Sequence, residues 1–437
     1  SKTCSSPIFV LQNGGGWELS GVGINKKSLC MFGTIVSPNT PNKQRLPINT
    51  TKAFLDWQTI VESHMGHLSK AQILVLALWS YGIVLAKTCG LSTVALALAS
   101  EFEGKEGNFR QRLREWCWDK QDKRGKSRAD WKVSQSFSPL LKWILSMWSP
   151  TVRQLVLAID ATSLKKLFVV LSISVVYRGC AIPIAWAILP EGQKGSWKEP
   201  WLELFRCLRG STPEDWLVLV AADRGLYARW LYEAIQECGW HPFLRINQGS
   251  LYRPKGTADF RRMSQLLPAP GSLWAGYVTC FMVHSVEGTL LACWGAKHVE
   301  PWIILTDLPP DNASAAWYGM RSWIENSFKD IKSDGWQWQN TRMSDPARAS
   351  RLWLALSVAT LWVLSVGGEA DEQVSVYDLS HLPPTHIARK THSHPSRTRR
   401  MSCFTRGLIL VLSALTHQRP IVLGRFLPEP WPSHTYP

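Results

Sequence analysis

An α/β fold, with helices on both faces of a mixed sheet, is predicted by two features of the sequence. From residue 153 onward, short apolar runs typical of strands alternate with segments whose apolar residues recur at helical spacing. Before that point only the helical spacing is present. Between residues 154 and 246 the predicted order is strand, strand, strand, helix, strand, helix, strand, which is typical of a mixed sheet covered by helices.

The composition is that of a folded protein with a polyanionic partner. Of the 437 residues, 45% are hydrophobic and 19% are charged, which excludes a disordered polyelectrolyte or a collagen. Lys and Arg (49) outnumber Asp and Glu (33), and the resulting net charge of +16 favours nucleic acid as the partner. The ten cysteines form no Cys-x-x-Cys pair, so we expect free, mostly buried thiols in a reducing compartment.

No membrane partner is expected. The two longest apolar runs, residues 73–86 and 352–366, are shorter than the ~20 residues that a membrane span requires. The first residues also lack the basic and apolar pattern of a signal segment. These observations predict a cytoplasmic location.

The first third of the chain is predicted to contain a leader and a helical domain. Residues 1–50 are rich in Gly, Pro and Asn and read as a loosely ordered leader. Residues 51–149 show helical periodicity and contain a basic stretch from Arg110 to Arg128 that includes Trp116 and Trp118. That stretch fits the phosphate contacts of a DNA-binding domain and, equally well, the solvated face of an ordinary helix.

The remaining elements complete the predicted sheet. Strands are predicted at 154–159, 167–177, 180–189, 217–222 and 242–246, and helices at 196–208, with Ser196 as N-cap, and at 227–238. A β-rich insertion at 249–312, with strands at 273–283, 288–294 and 302–306, precedes helices at 317–332 and 346–366. These elements predict one α/β domain that spans 150–366, and residues 367–437 are predicted to form a basic, irregular region.

Asp160 and Asp223 each follow directly after an uninterrupted apolar strand. The carboxyl ends of strands in open α/β sheets are where ligands bind. If the two strands are adjacent and parallel, the carboxylates face each other and need a cation between them. Oxygen ligands of this kind favour Mg²⁺ or Mn²⁺. Taken singly, each residue is also explained as a turn or cap at the end of its strand.

The predicted helix 317–332 supplies a third carboxylate. At ~100° per residue, Tyr318, Arg321, Glu325 and Lys332 share one arc, beside an apolar stripe that can pack on the sheet. Asp330 falls outside this arc, so Glu325 is the better candidate. A solvated face on which Glu325 pairs with Arg321 and Lys329 explains the same spacing.

Taken together, these residues resemble the catalytic core of DDE transposases of bacterial insertion sequences. Tyr318, Arg321, Glu325 and Lys332 fit the Tyr-x2-Arg-x3-Glu-x6-Lys signature of one subgroup. Asp160-Ala-Thr and Asp223-Arg-Gly fit the contexts of the first two carboxylates in that family. The β-rich insertion between the second Asp and the Glu belongs to the same pattern.

The resemblance implies a ribonuclease H-like core and cut-and-paste transposition. Asp160, Asp223 and Glu325 would be the catalytic residues and would hold two Mg²⁺ or Mn²⁺ ions, and Tyr318, Arg321 and Lys332 would contact phosphates of the transposon end. The implied partners are double-stranded DNA and a second copy of the chain, and the implied location is the bacterial cytoplasm, at the nucleoid. Trp294 and Trp302 are candidates for stacking on a flipped base, although each also fits the core of the insertion. Two alternatives remain open: a transposase-derived protein that binds DNA without cleaving it, and a metal-dependent nuclease of the same fold.

Overall fold

The strands form one continuous mixed sheet. The computed structural model describes residues 50–123, 130–193, 197–295, 298–372, 401–421 and 423–432. The strands within these residues are β1 Gln154–Leu164, β2 Phe168–Tyr177, β3 Cys180–Pro190, β4 Leu217–Ala222, β5 His241–Arg245, β6 Leu251–Pro254, β7 Arg261–Arg262, β8 Leu273–Cys280, β9 Val286–Cys293 and β10 Trp302–Thr306. Their order is β3-β2-β1-β4-β5-β10-β9-β8-β6-β7, with β1, β4 and β5 parallel to one another. The predicted α/β class with a mixed sheet is confirmed.

Helices precede, interrupt and follow the sheet. The α-helices of the described residues are α1 Lys52–His64, α2 Lys70–Ala86, α3 Leu91–Glu101, α4 Glu106–Cys117, α5 Phe137–Ser146, α6 Lys198–Leu208, α7 Arg229–Glu237, α8 Trp323–Lys329, α9 Pro346–Glu372 and α10 Cys403–Thr416. The predicted N-cap Ser196 lies outside the described residues, and α6 begins after Trp197. The predicted leader 1–50 also lies outside them, apart from its last residue.

Three predicted elements differ from the structure for identifiable reasons. Strand β1 continues past Asp160 to Leu164 because it goes on pairing with β2 after β4 has ended. Strand β8 ends at Cys280, since Phe281 and His284 adopt positive φ angles that turn the chain into β9. Residues 403–416, within the region predicted to be irregular, form α10.

The predicted helix 317–332 is not one regular α-helix. Residues Ala315–Ser322 form a 3-10 helix, α8 follows, and Asp330–Asp334 form a π-helical turn. A wheel of constant pitch therefore places Tyr318 and Lys332 at the wrong angles. Mid-helix changes of this kind are common at functional sites because they re-aim individual side chains.

The N-terminal helices pack against α9. Trp57 on α1 stacks on Trp362 of α9, with ring centroids 4.2 Å apart. Trp116, one of the aromatic residues in the predicted basic stretch, is buried and donates from Nε1 to the Arg351 carbonyl at 3.2 Å. Its ring therefore belongs to the core rather than to an exposed DNA-binding face.

Helix α9 is a core helix. With 27 residues it is long and apolar enough to cross a membrane, which the shorter runs of the sequence did not suggest. However, 89% of its most apolar window is buried inside the protein. A helix that is apolar on all sides is explained by such a position in the centre of a large domain. The eight cysteines of the described residues are free, and most of them are buried.

The end of the described chain packs beside the sheet. Phe426 is fully buried, and its backbone exchanges hydrogen bonds with the Met147 carbonyl and the Ser149 amide, each 2.8 Å long. Further on, Trp431 packs edge-on against Trp317, and the Pro432 carbonyl accepts from Nε1 of Trp317 at 3.1 Å. We call residues 423–432 the C-terminal strap.

Candidate active site

Three charged residues form one row at the point where the parallel pairing of β1, β4 and β5 ends. The last register pair between β1 and β4 is Ile159 with Ala222, and the next residues are Asp160 and Asp223. The last pair between β4 and β5 is Ala222 with Leu244, and the residue after Leu244 is Arg245. Parallel strands in register place equivalent residues side by side at the sheet edge. The strand-end aspartates predicted from sequence are therefore neighbours.

The Arg321 guanidinium lies among the three predicted carboxylates. One terminal nitrogen is 2.8 Å from Asp160 Oδ2 and 3.8 Å from Asp223 Oδ2, and the other donates to Glu325 Oε1 at 2.8 Å. Both Oδ2 atoms contact the same nitrogen, so the distance between them cannot exceed the sum of these two contact distances. The structure thus brings Asp160, Asp223 and Glu325 together around a single cation.

Local hydrogen bonds fix the two aspartates. Asp160 Oδ1 accepts from the Ala161 amide at 2.8 Å, and Asp223 Oδ1 accepts from the Gly225 amide at 2.9 Å. In each case the second oxygen is the one turned toward Arg321. This orientation leaves one oxygen of each carboxylate for a shared cation.

Asp160 is the most buried of the three acids. Its side chain is 18% exposed, against 31% for both Asp223 and Glu325. Burial raises the pKa of the Asp160 carboxyl, and the positive charge of Arg321 partly offsets that rise. Repulsion from Asp223 and Glu325 does contribute, but less than desolvation.

Lys332 reaches the cluster from the π-helical turn. Its Nζ donates to Thr162 Oγ1 at 2.5 Å. Thr162 is two residues after Asp160 on β1, so both side chains lie on one face of the sheet. Burial lowers the pKa of Lys332, while the nearby Asp160 carboxylate opposes that shift. All four residues of the Tyr-Arg-Glu-Lys set therefore lie at this sheet edge or directly behind it.

Arg245 is a site residue that the sequence reasoning missed. Its side chain is 3% exposed, and its guanidinium donates to Glu300 Oε2 at 3.3 Å and hydrogen-bonds the Tyr318 hydroxyl. Burial raises the pKa of Tyr318 to about 12, so the phenol stays protonated at neutral pH. Arg245 follows an apolar run directly, just as Asp160 and Asp223 do. That position is the sequence signal that could have identified it.

Other acidic and aromatic candidates lie outside the carboxylate cluster. Burial raises the pKa of Asp330 to about 7, and the backbone carbonyl of this residue accepts from Gly335 and Trp336. Trp302 is buried and packs edge-on against Tyr318, with centroids 5.2 Å apart. Trp294 is half-buried and donates to the His298 carbonyl at 3.0 Å. The contacts of both tryptophans lie inside the insertion or behind the site.

The carboxylates fit a divalent cation in their chemistry, while the guanidinium stands in the place of one. The donor set consists only of oxygens, as Mg²⁺ and Mn²⁺ prefer, and it converges on one positively charged group. Among the described residues, no three acidic, histidine or cysteine side chains are close enough to one another to hold a metal ion. The residue types match a metal site, and in this structure the three carboxylates face Arg321.

The comparison with known families found a match to part of the chain. Residues 153–362 match the model of a family described as the transposase DDE domain. The matched stretch runs from the start of β1 into α9, so it contains both aspartates and the whole segment from Ala315 to Asp334. The match supports a DDE transposase, and the mixed sheet with its flanking helices has the ribonuclease H-like fold of that class. DDE transposases act on DNA and generally use divalent metal ions. No curated protein matches the chain.

Proposed function

We propose that this chain is the transposase of a bacterial insertion sequence, of the subgroup with the Tyr-Arg-Glu-Lys signature. It would hydrolyse phosphodiester bonds at the ends of its element and join the freed 3′-hydroxyl to target DNA. The observation that carries the proposal is the convergence of Asp160, Asp223 and Glu325 on one cation at the carboxyl edge of the sheet. A protein that only binds DNA has no use for three acids beside a phosphate, because they repel it.

Asp160, Asp223 and Glu325 would hold the metal ions, with Asp160 central. Two bound Mg²⁺ or Mn²⁺ ions would stabilise the attacking and leaving oxygens of an in-line displacement at phosphorus. The hydrogen bonds from Ala161 and Gly225 already orient the two aspartates, which lowers the entropic cost of forming the site.

The cationic side chains next to the acids would position the DNA backbone. Arg321 and Arg245 offer planar pairs of donors that match phosphate oxygens, and Lys332 offers a point charge. Tyr318 stays protonated and can donate its hydroxyl hydrogen to a phosphate oxygen. With the DNA backbone held by these residues, the scissile phosphate would lie over Asp160 and Asp223.

Paired cleavage at two ends requires two active sites, so we propose a homodimer in the DNA complex, acting at the bacterial nucleoid. The excess of positive charge over the chain favours such DNA binding. A metal-dependent nuclease would use the same residues for hydrolysis alone. The two functions differ in whether the cleaved 3′ end is joined to a second duplex.

The test uses a plasmid that carries the coding region with its native flanking DNA. With Mg²⁺ or Mn²⁺ the wild-type protein is expected to cleave at the element ends and to join them to a second plasmid. Asp160→Asn should reduce both reactions by roughly a thousandfold or more, because several kcal/mol of metal-borne stabilisation are lost. Its binding to the flanking duplex should persist.

Asp330→Asn is the matched control, since it removes a buried carboxyl from the same segment without touching the cluster. It should retain cleavage. Equal loss in both variants, or full activity of Asp160→Asn, would remove the assignment of the acids. Cleavage without joined products would favour the nuclease.

A further inference from the structure

One guanidinium fills the position on which the three acids converge. The Arg321 side chain is 3% exposed and contacts Asp160, Asp223 and Glu325 within 4 Å through its two terminal nitrogens. The acids lie on three separate elements, namely β1, β4 and α8. No other described side chain forms ion pairs with all three of them.

A divalent ion and this guanidinium exclude each other. Both need the Oδ2 atoms of Asp160 and Asp223. Mg²⁺ binds its oxygen ligands at about 2.0–2.1 Å. A terminal nitrogen of Arg321 now occupies the space between these two oxygens. Retaining Arg321 there beside a metal would also place like charges in contact. The site in this arrangement therefore serves one cation or the other.

The present position of Arg321 leaves one of its donors unused. Nε is buried and has no hydrogen-bond partner among the described residues. A buried donor without a partner costs free energy that a different position of the side chain can recover. A phosphate over the sheet edge offers Arg321 oxygens of full negative charge and a geometry for two parallel hydrogen bonds.

We propose that Arg321 is an internal counter-ion that keeps divalent metal out of the acid cluster until DNA is bound. A phosphate of the bound end draws the guanidinium off Asp160 and Asp223, and the metal site forms only then. The inference rests on the proposed function, because it assigns the regulation of that same site. Its consequence is positive coupling: DNA raises the affinity for metal, and metal raises the affinity for DNA by the same factor.

The direct test measures Mn²⁺ binding to the full chain by the electron paramagnetic resonance signal of free Mn²⁺, without any cleavage. Wild-type protein without DNA is expected to bind Mn²⁺ weakly. A duplex from the flanking DNA should tighten that binding by about 5–150-fold, the usual range for coupled sites. Mn²⁺ binding as tight without the duplex as with it would overturn the inference, and this measurement needs no variant.

Arg321→Gln sharpens the test. Without DNA this variant should bind Mn²⁺ more tightly than the wild type, and the duplex should add no further tightening. Arg224→Ala is the matched control: it removes the same charge next to Asp223, but its side chain pairs with Glu300 instead of the acids. A comparable gain in both variants would mean that general charge, and not occupancy by Arg321, governs the metal, which would overturn the inference.

Asp160→Asn separates this inference from the proposed function. If Asp160→Asn leaves Mn²⁺ binding to the DNA complex unchanged, the acids do not hold metal and the proposed function fails. If Asp160→Asn abolishes that binding but Arg321→Gln has no effect in the absence of DNA, the metal site stands and only the counter-ion role is lost.

Discussion

Two buried arginines of this protein both contact carboxylates but differ in the hydrogen bonds of their Nε atoms. The side chains of Arg178 and Arg321 are each 3% exposed, and each meets more than one carboxylate. Arg178 stands at the turn between β2 and β3 and also donates from Nε to the Leu427 carbonyl of the C-terminal strap at 2.8 Å. Arg321 has no backbone partner of this kind, and its Nε is unpaired among the described residues.

The difference separates a structural cluster from a chemical one. Around Arg178 the partners are Glu372, at the end of α9, and Glu429, in the C-terminal strap, and both segments are thereby connected to the sheet. Around Arg321 the partners lie on the strands and helix of the sheet edge and are between 18% and 31% exposed. Arg178, which also binds a backbone carbonyl, stabilises the fold, whereas Arg321 gathers the partly exposed acids to which we assign the proposed reaction.

The largest effect on folding is expected from Arg178→Ala. This change leaves Glu429 buried without its cation and removes the anchor of the strap, so the free energy of unfolding should fall by about 3–5 kcal/mol. DNA cleavage per folded molecule should stay near the wild-type rate. Urea unfolding and plasmid cleavage on the same preparation measure the two effects, and a specific loss of cleavage would contradict the structural role.

Arg321→Ala is expected to affect DNA binding rather than folding. Loss of a charged phosphate contact should weaken binding to the flanking duplex by about 1.5–3 kcal/mol and reduce the salt slope of that binding by about one. Fluorescence anisotropy across a series of salt concentrations measures both quantities. An unchanged affinity and slope would refute the phosphate role of Arg321.

Glu429 makes the structural cluster sensitive to pH. Burial raises the pKa of its carboxyl from 4.5 to about 7 in the folded state, although Arg178 opposes the rise. The folded protein therefore binds more protons than the unfolded chain between these values, and stability should fall as pH rises from about 4.5 to 7, by at most about 1.4 kcal/mol per pH unit. Glu429→Gln should reduce this slope; Asp330→Asn should reduce the remainder, since burial raises the pKa of Asp330 in the same way. An identical slope in Glu429→Gln would contradict the assignment.

The smallest effect is expected from Glu372→Gln. Glu372 pairs with Arg178, but its side chain is 58% exposed, so solvent screens the interaction. Its loss should change the free energy of unfolding by less than about 1 kcal/mol, a fraction of the Arg178→Ala effect. A loss as large as that of Arg178→Ala would mean that the exposed acid, and not the buried one, dominates the cluster.

The sequence predicted the parts of the site that depend on strand ends. Asp160 and Asp223 could be placed because each directly follows an apolar run, and the parallel pairing of β1 with β4 ends at that point. Glu325 was placed by its spacing to Arg321, which holds because only one helical turn separates them. Strands 217–222 and 302–306 were predicted to the residue, since the first is a continuous apolar run and the second is apolar up to its last residue, Thr306.

Long-range contacts and changes of helix type could not be predicted from the sequence. The positions of Tyr318 and Lys332 depend on the 3-10 and π-helical segments, which a constant period does not describe. Arg245 acquires its role through Tyr318 and Glu300, which are distant in sequence. The strap was missed because prolines at 428, 430 and 432 interrupt any periodic pattern around Phe426. The domain boundaries at 149 and 366 remain predictions.

The place of Phe426 has a consequence for synthesis of the protein. Translation proceeds from the N-terminus, so β1 to α9 are made well before residues 423–432 leave the ribosome. Until then Trp148 lacks one of its aromatic neighbours, the amide of Ser149 lacks its acceptor, and Trp317 lacks its contact with Trp431. A nascent chain therefore contains the three acids before the contacts of the C-terminal strap have formed, so under the proposed function the ability to cleave DNA develops only after residues 423–432 have been made.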